Sequence, residues 1–236
     1  MATLPSSRFA LMIFARISGV IVAGLVLTWA VVFKSSFLPR SSSHEDFLYS
    51  VLHPLLMVIG FILISGEAIL VHWWLPGSRN LKESVHLSMQ GVALASGLFG
   101  IWTKFHSRKG VVSNFYSLHS WMGLFTIFLF GAQWLMGLLS FWDRGGVVRT
   151  KRLKRVLPWH HLFLGLYTYV LAVATAETGL LEKLTFLQTK TNALKRSAES
   201  MVVNSLGLGL ALLSGIVIFT ALSARHQTLP TKLMMY

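Results

Sequence analysis

Histidine is the residue type whose number and placement in this chain point to chemistry. The chain has nine histidines and no cysteine. Four of the nine, His53, His86, His119 and His161, stand one each in four consecutive apolar stretches. Imidazole nitrogen is a common ligand of transition metals and of haem iron. The lack of cysteine excludes disulfides, thiolate metal sites, iron–sulfur clusters and a covalently attached c-type haem.

The elements that must position these histidines are long apolar helices. The chain is 54% hydrophobic and 12% charged, with a mean hydropathy of +0.63, whereas soluble domains carry about 25% charged residues. A helix of about 20 apolar residues crosses a hydrocarbon core of about 30 Å, and six stretches qualify: about 9–33, 47–74, 84–105, 115–142, 157–181 and 201–223. We therefore predict an all-α integral membrane protein with one domain over residues 1–236, a four-helix core at about 47–181 that carries the four histidines, and two outer helices at about 9–33 and 201–223.

The basic residues predict the orientation of these spans. The net charge of +13 is typical of nucleic-acid binding in a soluble protein, but in a membrane protein lysine and arginine gather in cytoplasmic loops. With the N-terminus in the cytoplasm, 12 of the 21 basic residues fall on the cytoplasmic side, including the dense run at 149–155. We predict that both termini are cytoplasmic and that nucleic acid is not a partner.

Alternating spans pair the four histidines by depth. The second and fourth spans run in one direction and the third and fifth in the other, so His53 and His119 share one level and His86 and His161 the opposite one. The two levels are expected on the order of 15–20 Å apart. Two facing imidazoles can hold one haem iron as axial ligands. The alternative is that each ring bonds separately to a neighbouring helix. Four glycines on these spans leave room for a planar ligand or for close helix packing: Gly60, Gly91, Gly123 and Gly165.

The ligand of the fifth span is ambiguous by position. His160 and His161 are adjacent, and adjacent helical residues point about 100° apart, so only one can face the partner histidine.

Four runs of residues around these histidines resemble a known family. They are HPLLM at 53–57, GEAI at 66–69, NFYSLHSWMG at 114–123 and ATAETGLLEK at 174–183. In this order they resemble the cytochrome b-561 family of ascorbate-dependent transmembrane oxidoreductases, most closely its plant vacuolar members.

The resemblance implies a cofactor and a reaction. It implies two non-covalent b-type haems with bis-histidine ligation, His53 and His119 on the non-cytoplasmic side and His86 and His161 on the cytoplasmic side. Cytoplasmic ascorbate would be the electron donor, and monodehydroascorbate or a ferric chelate the acceptor across the membrane. A homodimer in the lipid of the vacuolar membrane is also implied. The family spacing to Gly165 favours His161, whereas the family's Pro-x-His spacing from Pro158 favours His160. We expect His161 to be the ligand, because its spacing continues to match the family through the rest of the span.

The donor side departs from the family pattern. Trp73 stands where the family commonly has an arginine, and Glu83 where it commonly has a substrate-binding lysine. Ascorbate is a monoanion, so basic side chains can still attract it. We expect four residues to form a cationic mouth, with Lys82 and Arg152 also taking part in catalysis: Arg79, Lys82, Arg152 and Lys154.

On the acceptor side, the resemblance implies that Phe105 and His106 contact the substrate. His106 would pass a proton or bind a ferric chelate; the alternative is a solvated loop histidine. Asn114, Tyr116 and Glu182 are expected beside the non-cytoplasmic haem.

Two other functions fit a membrane protein with intramembrane histidines. One is a di-haem anchor subunit of a quinone-linked complex, which would be inactive alone. The other is a divalent-metal transporter, which is expected to carry intramembrane carboxylates; here Glu67 and Glu177 are the acids well inside the spans.

Overall fold

The computed structural model describes residues 6–33, 44–107, 115–142, 151–190 and 197–226, and these ranges contain helices and no strand. Six helical stretches are long and apolar enough to cross a membrane, which confirms the predicted all-α, six-span architecture. The helices are α1 (Ser6–Val32), α2 (His44–Leu55), α3 (Ile64–Trp74), α4 (Arg79–Ser107), α5 (Leu118–Trp142), α6 (Lys151–Lys190) and α7 (Ala198–His226).

The second span is a composite helix. It consists of α2, a π-helical segment at Leu56–Leu63, and α3. Pro54 lies inside α2 just before the π-helical segment; proline has no N–H to donate to the carbonyl four residues earlier. The wider π-helical turn changes which residues face the bundle, and such segments are frequent at functional sites. The segment therefore resets the helix face between His53 and the Gly66–Ala68 stretch.

A tight connection joins α3 to α4. Gly77 has a φ of +121°, which only glycine adopts without strain. The Ser78 hydroxyl accepts a hydrogen bond from the backbone N–H of Leu81 at 3.2 Å, which satisfies one free donor at the start of α4. This short turn makes α3 and α4 antiparallel neighbours.

The four histidine-bearing spans enclose the centre of the bundle. The second span packs on α4, α4 on α5 and α5 on α6, and α6 returns to the π-helical segment. Buried Phe61 and Phe130 meet at the centre, with ring centroids 4.7 Å apart. The outer helices α1 and α7 pack along each other, and α7 also contacts α3 and α6. This is the covering role expected of the first and sixth spans.

Several helices extend beyond the predicted apolar stretches. The basic run, expected in the loop before the fifth span, instead contributes the first turns of α6 from Lys151 onward, and α4 starts at Arg79 rather than at Ser84. Lysine, arginine and leucine are good helix formers, so the helix continues past the point where hydropathy falls.

Candidate functional site

His53 and His119 face each other at one end of the bundle. Their ring centroids are 6.2 Å apart and their planes are nearly perpendicular, at 89°. His53 Nδ1 donates to the carbonyl oxygen of Gly100, and His119 Nδ1 to that of Thr175, each at 2.8 Å. A carbonyl only accepts, so each Nδ1 carries the proton and each Nε2 has a free lone pair.

His86 and His161 form the corresponding pair at the other end. Their ring centroids are 6.3 Å apart with an interplanar angle of 72°. His86 Nδ1 donates to the carbonyl oxygen of Ala68 at 2.8 Å. His160, the neighbouring residue on α6, is exposed. The structure thus places His161 opposite His86.

Helix geometry separates the two pairs along the bundle. Ala68, the partner of His86, follows His53 by 15 residues in the second span, and Gly100, the partner of His53, follows His86 by 14 residues in α4. At about 1.5 Å per residue these offsets correspond to about 20 Å. The pairs therefore lie at two distinct levels.

The absence of a side chain at Gly179 makes room for the ring of His119. A Cβ at Gly179 would lie 2.7 Å from Cε1 and 2.9 Å from Nδ1 of His119, so the imidazole occupies the space that a side chain would need. Of the glycines expected to leave room for a planar ligand, Gly165 is open, with nothing within 4 Å of an added Cβ.

Two of the four glycines instead serve helix packing. An added Cβ at Gly60 would be 2.5 Å from Cβ of Ser96, and at Gly91 it would be 3.2 Å from Nε1 of Trp134. At Gly123 the nearest atom is a methyl of Thr175 at 3.6 Å. Of the two alternatives left open by the sequence, close helix packing therefore applies at Gly60 and Gly91, because neighbouring helices pack directly against these backbones.

Aromatic and polar side chains surround the His53 end. The hydroxyl of Tyr116 donates to Oε1 of Glu182 at 2.5 Å. The exposed His106 ring stacks on Trp102 at 5.2 Å and meets the edge of Tyr49 at 4.6 Å. Exposed Phe105 lies 5.4 Å from the ring of Phe115, and Asn114 lies outside the described residues.

The His86 end carries charged groups. Arg79 Nε donates to Oε1 of Glu83 at 2.6 Å, so Glu83 partly balances the charge of this arginine. Lys82 Nζ donates to the carbonyl oxygen of His72 at 3.2 Å. The backbones of Arg152 and Lys154 lie in the first turns of α6, but their side chains are outside the described part of the chain.

His72 is a site residue that the sequence analysis missed. Its ring centroid is 5.3 Å from that of His86. The signal was available, because His72 lies two residues before the end of the second span at Trp74, and antiparallel neighbours share a depth at their common turn. A third histidine therefore lies beside the His86/His161 pair.

Comparison with known proteins identifies the family. Residues 52–187 match eukaryotic cytochrome b561, and this range contains all four paired histidines. The chain belongs to the eukaryotic cytochrome b561 family. Membership in this family implies b-type haem.

Curated relatives cover nearly the whole chain. It is 62% identical over 228 residues to a probable transmembrane ascorbate ferrireductase 4 of Arabidopsis thaliana, an alignment that spans 97% of this chain and 92% of the relative. It is 41% identical to an ascorbate-specific transmembrane electron transporter 2 of Zea mays, over 89% of this chain and 87% of the relative. A transmembrane ascorbate-dependent reductase of Bos taurus is 32% identical over 87% and 79% of the two chains.

Proposed function

We propose that this b561 protein is an ascorbate-dependent transmembrane oxidoreductase. It takes electrons from cytoplasmic ascorbate and delivers them to monodehydroascorbate or a ferric chelate on the other side of the membrane. The observation that carries the proposal is the pair of opposed histidines at each of two levels in the core. The names of the relatives, which include ascorbate ferrireductase and ascorbate-specific electron transporter, support the donor and the class of reaction.

The ring separations suit a bis-histidine haem at each level. An imidazole nitrogen lies about 2.0–2.1 Å from a first-row metal ion, and a ring centroid lies roughly 1.1–1.2 Å behind that nitrogen. Two imidazoles on opposite sides of one iron would therefore have ring centroids about 6.2–6.6 Å apart. The observed separations are 6.2 and 6.3 Å. Haem supplies reversible one-electron oxidation and reduction of its iron when it is bound.

The protein's part is to hold and orient the ligands. Backbone carbonyls of Gly100, Ala68 and Thr175 each accept a hydrogen bond from an Nδ1–H group, which fixes the tautomer and ring direction and leaves Nε2 as the atom that would ligate haem iron. His53 and His119 would hold the non-cytoplasmic haem, and His86 and His161 the cytoplasmic one. Small backbone-lined spaces such as that at Gly179 keep the rings in this arrangement.

The cationic mouth that attracts the electron donor would form at the His86 end. Lys82 lies near His72 and His86, and its ammonium group attracts the ascorbate anion. Because Arg79 is paired with Glu83, we assign the main attraction to Lys82 together with Arg152 and Lys154, whose helical turns begin at this end of the bundle. Lys82 and Arg152 would hold the ascorbate anion during electron loss.

The acceptor face would form at the His53 end. His106, fixed between Trp102 and Tyr49, would contact the acceptor together with Phe105. Tyr116 and Glu182, joined by a hydrogen bond, would brace the nearby haem edge, and Asn114 would join them. A ferric chelate or monodehydroascorbate needs such a polar, accessible surface to approach the electron source.

Orientation and location complete the proposal. The basic residues at the start of α6 support a cytoplasmic His86 end, and with this orientation we propose that both termini are cytoplasmic. We propose a single-domain homodimer in the vacuolar membrane, as the resemblance to plant vacuolar members implies.

A sided assay in oriented vesicles tests the direction of transfer. Ascorbate is added on the face that carries the His86 end, and a ferric chelate is enclosed on the other. His86→Ala should block rapid absorbance change on ascorbate addition, whereas His53→Ala should preserve it and abolish reduction of the enclosed chelate. The matched control is His160→Ala, which should retain both activities.

Two outcomes would contradict the proposal. If His53→Ala and His86→Ala fail at the same step from the same side, the assignment of the pairs to two faces is wrong. If the purified wild-type protein lacks the absorption bands of haem, the histidines serve another purpose, such as direct binding of a divalent metal.

A further inference from the structure

A cavity away from both histidine pairs opens between α1, α3, α6 and α7. Its volume is about 380 Å³. Most of its wall is apolar, provided by Val20, Leu63, Leu70, Leu213 and Val217. Val20 in its wall is 72% exposed and lies within an apolar span, so a molecule dissolved in the lipid can reach the cavity from this side.

An ion pair stands in the wall of this cavity. Arg16 Nε is 3.5 Å from Oε1 of Glu67, and the two side chains are 50% and 34% exposed. Arg16 follows the start of its span at Phe9 by seven residues, and Glu67 precedes the end of its span at Trp74 by seven. Both groups therefore lie about 10 Å inside the spans, where charged side chains are costly and mark functional sites.

Tyr169, another residue in the wall of the cavity, carries a buried hydroxyl. Tyr169 is 2% exposed, and its hydroxyl has no hydrogen-bond partner in the structure. The hydroxyl fits against Gly66, where an added Cβ would be only 2.8 Å away. Buried hydroxyl groups nearly always have a partner, because leaving one unpaired costs free energy. Tyr169 is among the residues that line the cavity, so the cavity is the open space nearest to its side chain.

We propose that this cavity binds an uncharged, membrane-dissolved molecule that carries a ring carbonyl or hydroxyl oxygen on an apolar body. Quinones and sterols share this chemistry. The oxygen pairs with the Tyr169 hydroxyl and the guanidinium of Arg16, while the body lies against the apolar wall. The ligand is neutral because Glu67 already balances the charge of Arg16. A lipid acyl chain fills the volume but offers no oxygen to the unpaired hydroxyl.

Binding to the full-length, haem-loaded protein in phosphatidylcholine nanodiscs tests this proposal. Radiolabelled decylubiquinone and radiolabelled sitosterol are the two probes, and empty nanodiscs give the partition background. Saturable binding of decylubiquinone would identify a quinone site, and saturable binding of sitosterol would identify a sterol site. Either result supports the proposal that the cavity binds an apolar molecule with a ring oxygen. For the probe that binds, Tyr169→Phe should raise the dissociation constant by roughly 3- to 10-fold, which is the effect of one lost hydrogen bond.

A second variant tests the cavity itself. Gly19 lines the cavity and has nothing within 4 Å of an added Cβ, so Gly19→Leu should fold and fill the space, with loss of saturable binding. The matched controls are Tyr167→Phe and Gly24→Leu. Tyr167 is exposed on the same helix as Tyr169, and Gly24 has equally open surroundings.

The haem absorption spectrum and helix content verify that each variant folds. Absence of saturable binding for both probes would overturn the proposal, since acyl chains alone would then occupy the cavity. Equal binding by Tyr169→Phe and Tyr167→Phe would overturn it as well, whatever the result for Gly19→Leu.

Discussion

Gly179→Ala should damage the His53/His119 level and spare the other. The added methyl carbon would lie 2.7 Å from Cε1 of His119, whereas carbon atoms in contact are about 3.5–4.0 Å apart. The ring must therefore retreat by about 0.8–1.3 Å, or the α6 backbone must move. A shift of this size breaks the 2.8 Å hydrogen bond from Nδ1 to Thr175.

The expected cost follows from these two effects. Overpacking of a tight interior costs about 1–3 kcal/mol, and a lost hydrogen bond costs about 0.5–1.5 kcal/mol. Their sum of about 1.5–4.5 kcal/mol corresponds to haem binding that is weaker by roughly 10- to 10³-fold at this level. The His86/His161 pair lies about 20 Å away along the helices and should keep its haem.

The assay is the haem-to-protein ratio of the purified variant, together with the fraction of haem that ascorbate reduces. The ratio should fall from about two toward about one, and the remaining haem should still be reduced rapidly. Gly215→Ala is the matched control, because an added Cβ there meets nothing within 4 Å and α7 carries none of the four paired histidines. A full haem content in Gly179→Ala, or an equal loss in Gly215→Ala, would refute the role assigned to the space beside His119.

Three further outcomes are expected. The wild-type protein should release both haems into acidified organic solvent, because no cysteine is present to tether them; a haem-to-protein ratio near one would contradict the two-site arrangement. Neutralising Lys82 and Arg152 together should slow reduction by ascorbate and flatten its dependence on ionic strength, whereas a small uncharged reductant should act at the normal rate; equal slowing with both reductants would indicate damage to the haem site instead. Tyr116→Phe should lose the hydrogen bond to Glu182, at a cost of about 1 kcal/mol, which lowers the melting temperature by roughly 2–4 °C; an unchanged melting temperature would show that the bond adds no stability.

Sequence alone was sufficient for the six spans and for the order of the histidines along them. Hydropathy over about 20 residues is a local property that a bilayer of constant thickness selects directly. Alternating spans then assign His53 and His119 to one level and His86 and His161 to the other, because the direction of each span follows from the count. Helix ends were less accurate, as at Lys151, where helix-forming basic residues extend α6 beyond the apolar stretch.

Rotation of each helix about its axis was decided by the tertiary structure. Whether His160 or His161 faces His86 depends on how α6 packs against α5 and the π-helical segment, since adjacent residues differ by about 100°. The same holds for the π-helical segment after Pro54, which resets the face of the second span. The position of a residue along the chain does not determine how far its helix is rotated about the helix axis.

Hydrogen-bond and ion-pair partners that come from distant parts of the chain also could not be predicted from the sequence. The carbonyls of Gly100 and Thr175 that orient His53 and His119 belong to backbone, which every residue possesses, so no residue type marks them. The pairing of Arg16 with Glu67 joins α1 to α3 across the bundle. Local sequence determines which segments enter the membrane, whereas side-chain packing between segments determines which groups meet there.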